Sequence, residues 1–297
     1  MLATVQFLDD LGVLEYRDDI VQGTPEWLAL RKTKITATDA VVVMGAGPWK
    51  TRLQLYHEKL SDEPPMQPNE RMQRGIDLEP IAREMFNIEK GVRTAPIVAI
   101  RGFLMASLDG IDDTRQHILE IKCPGEKDHA LAVSGKVPVH YYPQLQHQMA
   151  VCDVDYAWYY SFDGIDGVAI KIERDDTYIK AMIEEERKFY DCLMSKTPPE
   201  PADGDYIELS DGIWQECARK WKSVSEDIKC LEKYQEELRE QLVFLSGERN
   251  SRGAGISLCQ VTRRGNIDYS KVPELKDVDL DKYRKESTSS WRICTQP

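Results

Sequence analysis

The chain has 297 residues, 41% of them apolar, and a formal charge of −12. That length suits one large domain or two smaller ones, and the apolar share is adequate for a packed core. There is no run of about eighteen apolar residues, so a membrane span is not expected, and the start, MLATVQFLDDLG, lacks the basic and apolar stretches of a secretory signal.

Seven cysteines are scattered from Cys123 to Cys294 with no CxxC pair. An odd, dispersed set speaks against a disulfide framework and against a zinc ribbon, and fits a reducing compartment such as the cytosol. The negative charge points away from nucleic acid, because non-specific affinity comes largely from Lys and Arg neutralising phosphates. Carboxylates that hold metal ions inflate the formal sum, however, and local distribution matters more than the total. Arg31, Lys32 and Lys34 form a basic cluster beside a threonine-rich segment.

In chain order, residues 1–22 carry no clear motif. A helix is predicted from Thr24-Pro25, with Thr24 as N-cap, Pro25 in the first turn and Trp27, Leu28 and Leu30 as apolar contacts. Thr38 or Asp39 is expected to cap a second helix through Ala40, Val41 and Val43. Residues 61–69, with Pro64, Pro65 and Pro68, read as a loop. A helix over 75–88 follows, interrupted or started at Glu79-Pro80. Strands are expected at 96–101, 103–109 and 117–122, with a turn from Gly110 to Thr114 between the last two. A helix over 142–153, strands at 156–162 and 168–173, and an amphipathic helix over 175–194 complete a layered α/β domain. Pro198-Pro199-Glu200-Pro201 reads as a linker, giving domains 1–200 and 201–297. Beyond it Trp214, Cys217, Trp221, Val224, Ile228, Leu231, Gln235, Leu238, Leu242 and Leu245 form an a/d seam on one long helix. A β-hairpin is predicted with a strand over 256–262 and a turn at 263–266.

The chemistry centres on Leu108-Asp109-Gly110 and Leu119-Glu120-Ile121-Lys122-Cys123-Pro124. Strand side chains alternate faces, so Glu120 and Lys122 share one face while Leu119 and Ile121 point into a core. Such a strand is either a solvated edge or a site. If the two strands pair, Asp109 comes near Glu120. Two carboxylates at one point suit a hard cation such as Mg²⁺, with the Ile121 carbonyl available to complete coordination. A bound metal polarises a phosphate and acidifies water, and a lysine two residues on can orient that water or meet developing charge. Glu79, with Ala82 and Phe86 at i+3 and i+7, projects from the partly apolar side of its helix, where a carboxylate needs a partner.

Five blocks in order make the chain resemble the lambda-exonuclease or YqaJ-type viral recombinase nucleases of the PD-(D/E)xK superfamily. They are Gly23-x3-Trp27-x3-Arg31 with Ile35-Thr36-Ala37-Thr38-Asp39; Gly75-x3-Glu79-Pro80; Leu108-Asp109-Gly110; the Glu120/Lys122 strand; and Tyr141-x2-Gln144-x-Gln146-x2-Met149. The resemblance covers about residues 23–194. It implies a nuclease core with a central mixed sheet flanked by helices, followed here by a helical and β-hairpin C-terminal extension. It also implies Asp109 and Glu120 as metal ligands, Lys122 as catalytic lysine, Glu79 as supporting acid and Gln144 on the active-site helix. Arg31 resembles the arginine that contacts phosphate near a DNA end, with Thr36 and Thr38 as hydroxyl positions of that pocket. The expected activity is Mg²⁺-dependent 5′–3′ digestion of one strand of linear duplex DNA, with Mn²⁺ able to substitute. The resemblance further implies a homotrimeric ring, a single-strand annealing partner, and a phage- or prophage-encoded protein in the bacterial cytoplasm.

A structure-specific or restriction-type endonuclease on the same fold is the alternative; cleavage of closed circles distinguishes it. A coiled-coil interaction protein with a vestigial nuclease domain is a third reading, opposed by the intact Asp109, Glu120 and Lys122.

Overall fold

The computed structural model describes residues 11–62, 67–207, 209–265, 268–275, 278–288 and 290–293. Expectations for residues 1–10, Pro64, Pro65, Asn266 and Cys294 therefore lie outside the described residues. The chain divides into two compact units, Met1–Ile207 and Glu208–Pro297.

The first unit begins with strand β1 (Leu14–Arg17), a stretch in which the sequence shows no motif. Helix α1 (Pro25–Thr33) starts as predicted, with the Trp27 amide donating to the Thr24 hydroxyl. A two-residue strand β2 (Ile35–Thr36) leads into α2 (Ala37–Val43). The cap of α2 is Thr36, not Thr38 or Asp39. Asp39 sits at N3 and its carboxylate accepts from the Thr36 amide at 2.7 Å, closing a capping box. Helix α3 (Arg52–Leu60), capped by Thr51, has no counterpart in the sequence reading.

Helix α4 (Glu70–Lys90) runs through Pro80 without a break, starting five residues earlier than expected. Proline in a helix interior removes one hydrogen bond. The burial of Ala82 and Phe86 against the sheet, each at most 1% exposed, outweighs that local preference.

Strands β3 (Thr94–Arg101), β4 (Leu104–Asp112) and β5 (Ile118–Lys122) follow. The predicted turn from Gly110 is displaced: β4 continues to Asp112, whose carboxylate accepts from the amides of Gln116 and His117 and so closes a later turn. Helix α5 (Glu126–Val133), unforeseen, precedes α6 (Tyr142–Cys152). Strands β6 (Tyr156–Phe162) and β7 (Gly167–Glu173) and helix α7 (Asp176–Ser195) complete the unit.

The sheet order is β1-β3-β4-β5-β6-β7, with β2 added in parallel to β4. Only the β2/β4 and β5/β6 pairs among these are parallel, so the sheet is mixed. The β5-to-β6 connection supplies the crossover that a parallel pair requires, through α5 and α6. Helices α2, α6 and α7 cover one face with Ala40, Val43, Leu145, Met149, Met182 and Ile183. On the other face, α4 sets Ala82 and Phe86 against Leu119, Ile121, Tyr160 and Phe162. A third patch joins Trp27 and Leu30 of α1 to Val98, Ile100 and Met105. This is the α/β core flanked by helices that the sequence predicts.

In the second unit, α8 (Gly212–Leu245) carries the heptad seam over 34 residues. The hairpin lies earlier than predicted. Strand β8 (Ser251–Gly253) pairs with β9 (Ile256–Leu258), and the turn is Ala254-Gly255 rather than residues 263–266. Both turn residues have positive φ, 48° and 81°, the geometry a two-residue hairpin favours.

Candidate active site

The site begins with an irregularity in β4. Ile97 pairs with Leu108 and Ala95 with Ile111, so β4 advances three residues where β3 advances two. The extra residue is a β-bulge at Asp109-Gly110, opposite Pro96, which has no amide to offer the ladder. Leu108 and Ile111, three apart, both enter the same core cluster as a result. Gly110 suits the crowding here, because a Cβ would stand 2.8 Å from Thr94 Oγ1 and 3.2 Å from Leu119 Cβ.

The β4/β5 ladder pairs Gly110 with Leu119 and Ile111 with Ile118. Continuing that register sets Asp109 opposite Glu120. There the ladder gives way to a side chain, as the Ile121 amide donates to Asp109 Oδ2 at 2.8 Å. Glu120 is 2% exposed and Asp109 9%. With Ile118 buried in one core cluster and Leu119 and Ile121 in the other, the solvated-edge reading of β5 is excluded.

Three side chains converge on Glu120. Gln144 Nε2 donates to Oε1 at 2.5 Å and Gln148 Nε2 to Oε2 at 2.5 Å. The Lys122 ammonium pairs with Oε1, and it also lies 5.0 Å from the Tyr141 ring centroid. Sequence reasoning found Gln144 but missed Gln148. The signal was available, since residues four apart share a helical face. Gln146 points elsewhere, donating to the Glu173 carbonyl at 3.0 Å and accepting from the Asp175 amide at 2.9 Å.

Glu79 reaches the rim through Arg83, one turn further along α4. Arg83 pairs with the Glu79 carboxylate and donates Nε to the Asp109 carbonyl at 2.5 Å. The sequence reading had no role for Arg83.

The electrostatics describe a buried acidic centre short of positive charge. Burial, then the neighbouring Glu120 carboxylate, raise the Asp109 carboxyl well above its ordinary range. Burial also raises Glu79; Arg83 pulls it back and Glu120 pushes it up. Burial would lower Lys122, but the Glu120 and Asp109 carboxylates outweigh it and hold the ammonium charged. Burial pushes the adjacent Cys123 thiol up to about 11, which leaves it protonated and a poor metal ligand at neutral pH.

Among the described residues, no group of three or more His, Cys, Asp or Glu side chains is gathered to hold a metal. The available set is therefore Asp109, Glu120 and a backbone carbonyl. It fits a hard, largely water-ligated cation such as Mg²⁺, which often binds proteins through one or two carboxylates. The neighbouring Gln148 Oε1 is buried without a hydrogen-bond partner, leaving an acceptor for a water.

A second constellation lies near the start of β4. Arg31 stacks over Trp27 at 4.5 Å and donates Nη2 to Thr38 Oγ1 at 3.2 Å. Thr38 and Thr36 hydroxyls are 3.0 Å apart. Thr36 also accepts from the Asp39 amide, so its hydroxyl serves the α2 cap, while Thr38 faces the arginine. Thr36 pairs with Met105, four residues along β4 from Asp109, or roughly 13 Å of strand. Beneath lies an ion pair the sequence reading missed, Lys59 with Asp39 at 2.5 Å. Lys59 also donates to the carbonyls of Arg31 and Lys34 at 2.8 and 2.7 Å. Burial pulls Lys59 down, yet three acceptors match the three hydrogens of an ammonium, so the charged form is the one this cage suits. For Asp39 the burial penalty is overcome by Lys59 and Arg31, and its carboxyl is lowered.

A groove of about 700 Å³, lined by Arg71, Arg74, Cys123, Pro124, Gly125 and His129 among others, opens where β5 ends.

Residues 26–155 match the family model described as the YqaJ-like viral recombinase domain. The uncharacterized protein YqaJ of Bacillus subtilis (strain 168) is 29% identical over 174 residues, covering 56% of this chain and 54% of its own length. This chain thus spans about half the length of that curated relative. Among solved structures, an alkaline exonuclease from Laribacter hongkongensis is 28% identical, with a TM-score of 0.50 over 58% of this chain and 94% of the other.

Proposed function

We propose that this protein, whose residues 26–155 match the model of the YqaJ-like viral recombinase domain, is a Mg²⁺-dependent 5′–3′ exonuclease. It would degrade one strand of linear duplex DNA and leave 3′ single-stranded overhangs for annealing-type recombination. The observation that carries the reading is Glu120, buried opposite Asp109 and held at both oxygens by Gln144 and Gln148.

Asp109, Glu120 and the Ile121 carbonyl would hold Mg²⁺, with Mn²⁺ substituting. When bound, the ion supplies polarisation of a phosphoryl oxygen and a more acidic water. The chain's own residues do the rest. Gln144 and Gln148 fix the Glu120 carboxylate plane. Lys122, which pairs with Glu120 and lies beside the Tyr141 ring, could donate to a non-bridging phosphate oxygen and meet the charge developing there. Glu79, tethered by Arg83, keeps negative charge at the rim. Arg31 presents a planar fork, pre-oriented by Trp27 and Thr38, suited to a terminal 5′-phosphate, with Thr36 supporting Thr38.

The partners proposed are duplex DNA ends, two further copies in a ring, and a single-strand annealing protein, in the cytoplasm of a bacterial host. Among the described residues, no helix is long and apolar enough to cross a membrane. Linear duplex labelled at the 5′ or the 3′ end, offered beside covalently closed circles with and without Mg²⁺, tests the activity. Release from 5′ ends only is expected. Cutting of circles would favour an endonuclease, and release from 3′ ends would reverse the polarity. A stable monomer by light scattering would contradict the ring.

A further inference from the structure

His147 and Glu186 are each fully buried and 2.7 Å apart, Nδ1 to Oε1. The other ring nitrogen, Nε2, lies 3.1 Å from the Met105 carbonyl. The Met105 carbonyl can only accept, so Nε2 carries a hydrogen, and a further hydrogen lies between Nδ1 and the Glu186 carboxyl. Burial alone would favour the neutral ring; Glu186 and the Met105 carbonyl, with Asp39 further off, raise it instead.

An ion pair without solvent access is a poor device for stability alone. Packed apolar residues of the same volume often do as well or better, and buried charge is retained in some proteins for specificity. Glu186 Oε2 has no hydrogen-bond partner, so this pair is not even fully satisfied. What it does have is position. His147 lies on α6 between Gln144 and Gln148, Met105 belongs to the strand that bears Asp109, and Glu186 belongs to α7. One ring therefore ties three elements together at the helix that grips Glu120.

We propose that His147 is a positioning residue: held between Glu186 and the Met105 carbonyl, it sets the depth and rotation of α6 so that Gln144 and Gln148 reach the two oxygens of Glu120. Without it, α6 would still be held by the packing of Leu145, Met149 and Ala150 and by Gln146 on the Glu173 carbonyl and Asp175 amide, but it would lose its bond to Met105 on the strand that bears Asp109. The link to metal affinity rests on Glu120 being a ligand; the link to the glutamines does not.

The test is the double variant His147→Leu with Glu186→Met, which removes both charges and keeps volume, so that it folds. Two readouts are followed in full-length protein: the side-chain amide signals of ¹⁵N-labelled glutamine, and Mn²⁺ affinity by calorimetry. In the native protein, Gln144 and Gln148, bonded to Glu120, are expected to give dispersed, slowly exchanging signals. In the double variant these collapse toward the exposed-amide region, and Mn²⁺ binds about tenfold more weakly, the scale seen when groups behind metal ligands are removed. Glu186→Gln keeps an acceptor for Nδ1 and is expected to retain both signals and an affinity within about twofold of native. A folded double variant with unchanged glutamine signals overturns the proposal, as does a Glu186→Gln protein that behaves like the double variant. If the native protein binds no Mn²⁺, the metal reading fails, and the glutamine signals alone still decide the role of His147.

Discussion

The Ile121 amide donates to Asp109 Oδ2 over 2.8 Å, at the point where the pairing of β4 and β5 ends. A β-bulge thus delivers a carboxylate to the peptide that follows Glu120. The two buried acids repel each other, and a cation held between them, as proposed, would relieve that repulsion. In chelator, Asp109→Asn relieves it, and the melting temperature should rise by about 2–4 °C, equivalent to about 1 kcal/mol. The pH dependence has a definite sign. The folded-state value of Asp109 is raised, so its contribution is complete below the ordinary aspartate range near ~3.9 and is lost as pH rises through the raised value. The advantage of Asp109→Asn should therefore grow with pH. Saturating Mg²⁺ should reverse it, stabilising the native protein alone; calorimetry at several pH values checks this.

The glutamine pair sets the geometry of Glu120. Gln148→Ala and Gln144→Ala should each raise the Mg²⁺ concentration for half-maximal cleavage by about 10–100-fold, the range for groups that orient metal ligands. Gln146→Ala, whose side chain bonds to Glu173 and Asp175 instead, should leave that concentration unchanged and lower the melting temperature. Equal shifts for all three would remove the distinction.

Lys59 is needed beneath the Arg31 pocket. Lys59→Met leaves Asp39 buried without its cation and should cost about 3–5 kcal/mol. Because the Asp39 carboxyl is lowered in the folded state, its stabilising effect is present above about 3.9 and lost as pH falls through the lowered value. In Lys59→Met the acid limb of the stability curve should move to higher pH. Denaturant titrations between pH 3 and pH 7, on the order of the range where carboxylates titrate, read both effects.

Arg31→Lys tests the end-binding pocket. A point charge replaces a stacked, planar fork. The preference for 5′-phosphorylated over 5′-hydroxyl ends should fall by about tenfold or more, as expected for losing a charged hydrogen bond worth about 1.5–3 kcal/mol. An unchanged ratio would take Arg31 out of end recognition.

Strands β3 to β7 and helices α6 and α7 were readable from their apolar runs bounded by turn and cap signals, although β4, β5 and α6 are buried at nearly every position rather than on one face. The strand at 156–162 needed no adjustment. Helix α3 was missed although Thr51 and Gln54 form a capping box and Leu53, Tyr56 and Leu60 recur at helical spacing, and β2 is only two residues long. Pro80 misled because a local rule lost to the packing of Ala82 and Phe86. The cap of α2 was misplaced because Thr36, Thr38 and Asp39 are all good caps and only tertiary pairing of Ile35-Thr36 with β4 decides among them. At the site, Asp109, Glu120 and Lys122 by themselves read equally as a solvated strand face, and only the ordered blocks with Arg31, Glu79 and Gln144 marked them as a site. Arg83, Lys59 and His147 were not legible, since each acts across elements and nothing in local spacing announces its partner.

Lys122 is the residue on which the proposed chemistry most depends. Native protein and Lys122→Ala, matched for fold and Mn²⁺ affinity, are given linear duplex labelled at its 5′ end in saturating Mg²⁺. Mononucleotide release is expected from the native chain, with a loss of at least about 10²–10³-fold in the variant, the scale for removing a donor to developing charge. Undiminished release by Lys122→Ala would contradict the proposed chemistry.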